Sequence, residues 1–167
     1  QSQLAAAEAL NRESEIVQVA PVSVGPWTPR HYLVAFRTPV VVWTAPGVIG
    51  RADAAVFRVY FPNHYLRHSQ SFETLSVLEP KNIAHPNIRE NLICVGDQFM
   101  ASHPGIVDLA IRLYDILCFE VWSPHSPLNE DAAQWARSQP EGTFPLAHPP
   151  LTRRMLNVSM QPVGQEG

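Results

Sequence analysis

The sequence has 167 residues, enough for one domain that buries roughly 70% of the surface its unfolded chain exposes, and too few for two comfortable ones. Its 46% hydrophobic and 16% charged residues exclude wholesale disorder, and no apolar run approaches the ~20 residues that a membrane-spanning helix needs. A net charge of -3 leaves no basic footprint for nucleic acid, and two cysteines make neither a disulfide scaffold nor a four-cysteine zinc site, which points to a reducing, cytoplasmic setting. Residues 1–10 lack a basic start and an apolar stretch, so no signal peptide is expected. Of 12 basic residues 11 are arginine, with Lys81 the single lysine, as GC-rich codon usage favours.

Residues 4–10 are alanine-rich and free of proline and glycine, which predicts a short helix ending near residues 11–14. Residues 16–24 alternate apolar and polar side chains as a half-buried strand does, until Gly25, Pro26 and Pro29 break the run. Residues 31–36 and 40–43 carry the branched and aromatic composition of strands, and the prolines and glycines of 45–50 predict a turn. Residues 54–61 give the clearest strand, with Val56, Arg58 and Tyr60 on one face and Ala55, Phe57, Val59 and Phe61 on the other. Residues 72–78 read as a fourth strand.

Residues 81–100 show no sustained period and read as an irregular, structured loop, long enough to imply a function. Pro104 suits the first turn of a helix, and Ile106, Leu109, Ala110, Leu113, Ile116 and Leu117 follow helical spacing opposite Asp108, Arg112 and Asp115. Residues 123–127 form a proline-bounded loop, and Asn129 caps a second helix over 130–138. Residues 1–140 are the expected domain; 141–167 read as a proline-rich tail that docks, if at all, through Met155, Leu156 and Val158. Helix, four-strand meander, loop and two helices together predict an α+β domain.

The chemistry concentrates in 85–97. The Cys94 thiolate is a strong nucleophile and a good leaving group, fit to pass on an acyl group, and Arg89 is its nearest cation in sequence. Asn87 has an amide that can donate to an oxyanion. Cys118 sits within the apolar helical run and reads as a small core residue. His64 and His68 have helical spacing but no accompanying ligand set, so no metal or cofactor is expected. A cysteine hydrolase would need a histidine base at the thiol, for which His85 and His103 are the candidates.

The span 54–136 resembles the catalytic core of ubiquitin-conjugating (E2) enzymes. The resemblance rests on Tyr60-Phe61-Pro62-Asn63-His64-Tyr65, on His85-Pro86-Asn87, on Ile93-Cys94, and on Pro127-Leu128-Asn129 followed by Ala132-Ala133, in that order. It implies the ubiquitin-conjugating fold and a Cys94 thioester with the C-terminus of a ubiquitin-like protein, received from an activating enzyme and passed to an amine of a target protein. It implies that Asn87 stabilises the oxyanion or orders the loop, and that His85 and Pro86 are structural. The activating enzyme would dock on the N-terminal helix through Leu4, Glu8 and Asn11, and ligases at Tyr65, Leu66, Arg67 and the loop around Pro124.

The chain also departs from the family. Six residues separate Asn87 from Cys94, one fewer than the common eukaryotic spacing. Ser126 stands where an acidic residue often gates the attacking lysine, with His125 beside it as a candidate base. These departures and the composition point to a bacterial relative of the kind found in conjugation operons with antiviral roles. The alternative is a binding module of the same fold that has lost activity.

Overall fold

A computed structural model of the protein describes residues 2–22 and 29–152. The expected residues Gly25, Pro26, Met155, Leu156 and Val158, and the end of the first expected strand, lie outside the described residues.

Helix α1 (Gln3–Glu13) starts where the Ser2 hydroxyl accepts the Ala5 N–H, and it buries Ala7 and Leu10. Four strands follow as an antiparallel meander in the order β1 (Val17–Pro21), β2 (His31–Ala45), β3 (Val48–Tyr60) and β4 (Leu75–Glu79). The two expected strands at 31–36 and 40–43 are one strand, β2. A register shift between Arg37 and Val40 accommodates Pro39, which has no N–H to give to the ladder. The expected turn at 45–50 shrinks to Pro46-Gly47, with Gly47 at φ +73°, and β3 begins six residues before the predicted strand. Phe72 does not belong to the fourth strand: residues Ser71–Thr74 form a helical turn, α2, and β4 starts at Leu75.

The loop at 81–100 is more regular than its sequence suggests. It holds a two-stranded hairpin, β5 (Ile88–Arg89) with β6 (Leu92–Ile93), and then helix α3 (Asp97–Ala101). Helix α4 (Ile106–Leu117) is capped by Gly105, so Pro104 stands just before the helix rather than in its first turn. Gln3 of α1 accepts the Ile106 N–H at 2.7 Å, which ties the N-terminal ends of the two helices together. Helix α5 (Glu130–Arg137) is capped as predicted, by Asn129 accepting from Ala132.

The sheet packs one face against α1 and α4, burying Tyr32, Phe36, Phe57, Leu109, Leu113 and Ile116 in one core. A second, aromatic cluster gathers around Phe119, just past α4: Phe144 stacks on it at 4.3 Å between ring centres, and Trp122 and Trp135 meet it edge-on. Residues 141–152 therefore pack on the body of the domain. Leu146 donates its N–H to the Cys118 carbonyl, Tyr114 donates its hydroxyl to the Pro149 carbonyl, and Leu151 is buried in the main core. Among the described residues no helix is long and apolar enough to cross a membrane.

Candidate active site

Cys94 follows β6 directly, and its backbone is fixed on every side. Its N–H donates to the Asn87 carbonyl at 2.9 Å, and its carbonyl accepts from Asn87 Nδ2 at 2.9 Å. The next residue is clamped as well: the Val95 N–H donates to Ser71 Oγ of α2, and the Val95 carbonyl accepts from Arg112 Nε of α4. Gly96 then turns the chain into α3 at φ +100°, a conformation that a side chain at this position would strain. Cys94 is a free cysteine in a partly exposed position. Cys94 lines an open groove of about 250 Å³ with Phe72, Asn87, Ser123, Ser126, Pro127 and Leu128.

Asn87 is buried and its amide is committed. Besides the Cys94 carbonyl, Nδ2 lies 3.5 Å from Ser123 Oγ, and Oδ1 accepts the Ser123 N–H at 2.9 Å. Of the two roles expected for Asn87, this geometry performs loop ordering, since the amide bridges the cysteine and the 123–127 loop.

His85 is only 1% exposed and lies against the Phe119 ring at 4.3 Å. Its Nδ1 accepts the Asn87 N–H at 2.9 Å, so the ring proton belongs on Nε2. Burial pushes its pKa down to about 3, the Ile116 backbone opposing this. Pro86 is buried, and its carbonyl accepts from both the Leu128 and Asn129 N–H groups, at 2.9 and 3.0 Å. Asn129 Nδ2 returns a bond to the Ile88 carbonyl at 3.0 Å. The His-Pro-Asn and Pro-Leu-Asn segments are thus hydrogen-bonded to each other around the cysteine.

The 123–127 loop is held at its start, by Ser123 on Asn87 and by the Pro124 carbonyl accepting from Arg137, which also pairs with Glu130, and just past its end by Leu128 on Pro86. His125 and Ser126 form its exposed tip. Ser126 lines the groove; His125 stands outside its lining. Arg89 is exposed on the hairpin and is not part of the lining either.

Neither histidine suited to a hydrolase reaches the thiol. His85 is buried against Phe119 with its Nδ1 on the Asn87 N–H, and His103 Nδ1 lies 3.0 Å from Ser69 Oγ with its ring against Tyr65. Cys118 is buried in the core, and burial, with the Asp115 carboxylate nearby, pushes its thiol up to about 12. His64 pairs with Glu73 at 3.0 Å, and among the described residues no group of three or more possible ligands is placed to hold a metal.

Two expected docking residues are corrected. Tyr65 is a core side chain: its hydroxyl donates to the Pro104 carbonyl at 2.7 Å and its ring meets Phe61 edge-on, while burial pushes its pKa up to about 12. Asn11 is taken by the sheet edge, donating to the Val19 carbonyl and accepting the Val19 N–H. Leu4 packs partly against the core, so Glu8 is the exposed member of the three named on α1. Leu66, 78% exposed, and Arg67 do face outward.

Sequence reasoning passed over Phe72, Ser71 and Arg112. The branched and aromatic composition around Phe72 reads as strand, and the other two act through backbone groups that no motif announces. No family model matches the chain, and no curated protein matches it in sequence.

Proposed function

We propose that the protein is a thioester carrier of the ubiquitin-conjugating type, with that family's fold. The Cys94 thiolate attacks the thioester carbonyl of an activated ubiquitin-like protein. A new S–C bond forms, the activating enzyme's thiolate leaves, and the proton given up by Cys94 balances the one that thiolate regains. A target amine then attacks the Cys94 thioester: the C–N bond forms, the C–S bond breaks, and the amine's proton passes to solvent.

The observation that carries this reading is the groove itself. It presents a partly exposed cysteine on a rigid backbone, and its lining includes no histidine or charged side chain. A hydrolase needs a base there to activate water; a carrier needs a thiol that waits for an amine. The hydrogen bonds joining His-Pro-Asn to Pro-Leu-Asn support the resemblance, because they give both segments one shared task. In this reading the activating enzyme approaches α1 near Glu8, and ligases approach Leu66, Arg67 and Pro124.

The test is discharge. Protein charged by an activating enzyme, ATP and a ubiquitin-like protein from the same genome is mixed with free lysine. Loss of thioester matched by a lysine amide supports the carrier; release of free modifier at the same rate with and without lysine supports a hydrolase instead.

A further inference from the structure

Phe72 is 51% exposed, the aromatic member of the exposed large hydrophobics among the described residues. Its neighbours do the packing: Ser71 and Thr74 of α2 are buried, as is Leu75, while Phe72 stands outside both hydrophobic clusters. The ring thus leaves unused much of the ~1.5–3 kcal/mol that burying a phenylalanine provides, and the fold gives no reason for it. Its position, however, is fixed relative to the thiol. Ser71 accepts the Val95 N–H, joining α2 to the residue after Cys94, and Phe72 lines the Cys94 groove.

The facing residues are fixed by the same frame, since Leu128 donates to the Pro86 carbonyl and Ser123 to Asn87. Phe72, Pro127 and Leu128 supply apolar surface, Asn87, Ser123 and Ser126 supply polar groups, and no lining side chain carries a charge. A charge brought beside the thiol would lose water and meet no partner, whereas an apolar side chain would cover the exposed ring.

We infer that Phe72 is a specificity-determining residue of the Cys94 groove, an apolar wall that favours ligands placing an uncharged, apolar group beside the thiol. The inference deepens the carrier reading, which supplies the acyl donor as that ligand; the wall itself is tested without it. Cys94 of the intact protein is alkylated with N-phenylmaleimide and N-ethylmaleimide, adducts being located by peptide mass, and the rate ratio is referred to that of glutathione. The ratio at Cys94 exceeds the glutathione ratio by about threefold or more, as an aromatic contact provides. It falls to the glutathione value in Phe72→Ala and is partly kept in Phe72→Leu, with unfolding midpoints close to the parent's. A parent ratio equal to that of glutathione, or an unchanged ratio in Phe72→Ala, overturns the wall. If the aromatic preference holds but an activating enzyme loads nothing, the carrier reading fails and the wall stands. If loading succeeds while Phe72→Ala keeps the parent ratio, the carrier stands and the wall fails.

Discussion

Asn87 and Cys94 face each other across a closed pair of hydrogen bonds, the Asn87 carbonyl taking the Cys94 N–H and the Asn87 amide donating to the Cys94 carbonyl, both at 2.9 Å. With Oδ1 holding the Ser123 N–H, one buried side chain sets both the nucleophile's backbone and the loop across the groove.

Asn87→Ala leaves the Ser123 N–H and the Cys94 carbonyl without these partners, at about 1–3 kcal/mol for each group that stays buried. We expect a loss of about 2–4 kcal/mol, read as a lower urea midpoint at unchanged slope. Asn87→Asp keeps the acceptor for Ser123 but turns an oxygen toward the Cys94 carbonyl, so it is also destabilised. A variant of parental stability with slowed acyl transfer would instead assign the amide to the oxyanion.

Asn129 has two tasks, capping α5 and holding the Ile88 carbonyl. Asn129→Ala should cost about 1–2 kcal/mol. Asn129→Asp keeps the cap and loses the donor, so its unfolding midpoint should lie between the two.

The stability of the protein should depend on pH through His85. The ring titrates at about 3 when folded and at 6.5 when unfolded, so its contribution is complete above 6.5 and is lost as pH falls toward 3. Across that window the unfolded chain binds a proton that the folded chain refuses, at about 1.4 kcal/mol per pH unit. His85→Gln retains an acceptor for the Asn87 N–H but does not titrate. Urea unfolding at a series of pH values should show a shallower slope for this variant between about pH 4 and 6; equal slopes would mean that the folded ring is charged.

How much of this was legible in the sequence depends on the kind of signal. Helices α4 and α5 and the alternating strand β3 announce themselves because burying one face imposes a period. The hairpin Ile88–Arg89 with Leu92–Ile93 has strands too short for any period. It exists because backbone groups find partners at a distance, the Val77 N–H on the Asn91 carbonyl among them. The same cause hid part of the site. Cys94 and Asn87 were legible from residue type and order, but whether a polar side chain meets a partner protein or its own backbone is a tertiary fact. Tyr65 and Asn11 turned inward to carbonyls and amides of their own chain, and Phe72 turned outward from a segment that reads as strand.

Residues past 140 should be needed for stability. Leu151→Ala removes a buried core side chain and should cost about 2–4 kcal/mol. A chain ending at Gln139 should lose more, since Phe144 and Leu146 leave the Phe119 cluster exposed. A truncated chain with the full-length melting temperature would show that this segment is an accessory.

The two thiols should differ in reactivity. Near neutral pH a thiol reagent should modify Cys94 in the folded protein, while Cys118, buried and pushed up to about 12, should react only after unfolding. Equal rates in the folded state would contradict the burial of Cys118.

The central claim is that Cys94 carries an acyl group as a thioester. Its most direct test is to incubate the parent, Cys94→Ser and Cys118→Ser proteins with an activating enzyme, ATP and a ubiquitin-like protein from the same genome, and to map the adducts by mass. The account predicts an adduct on Cys94 that dithiothreitol releases, the same adduct in Cys118→Ser, and in Cys94→Ser either none or an oxyester that dithiothreitol leaves intact. A dithiothreitol-sensitive adduct that persists in Cys94→Ser and disappears in Cys118→Ser would contradict it.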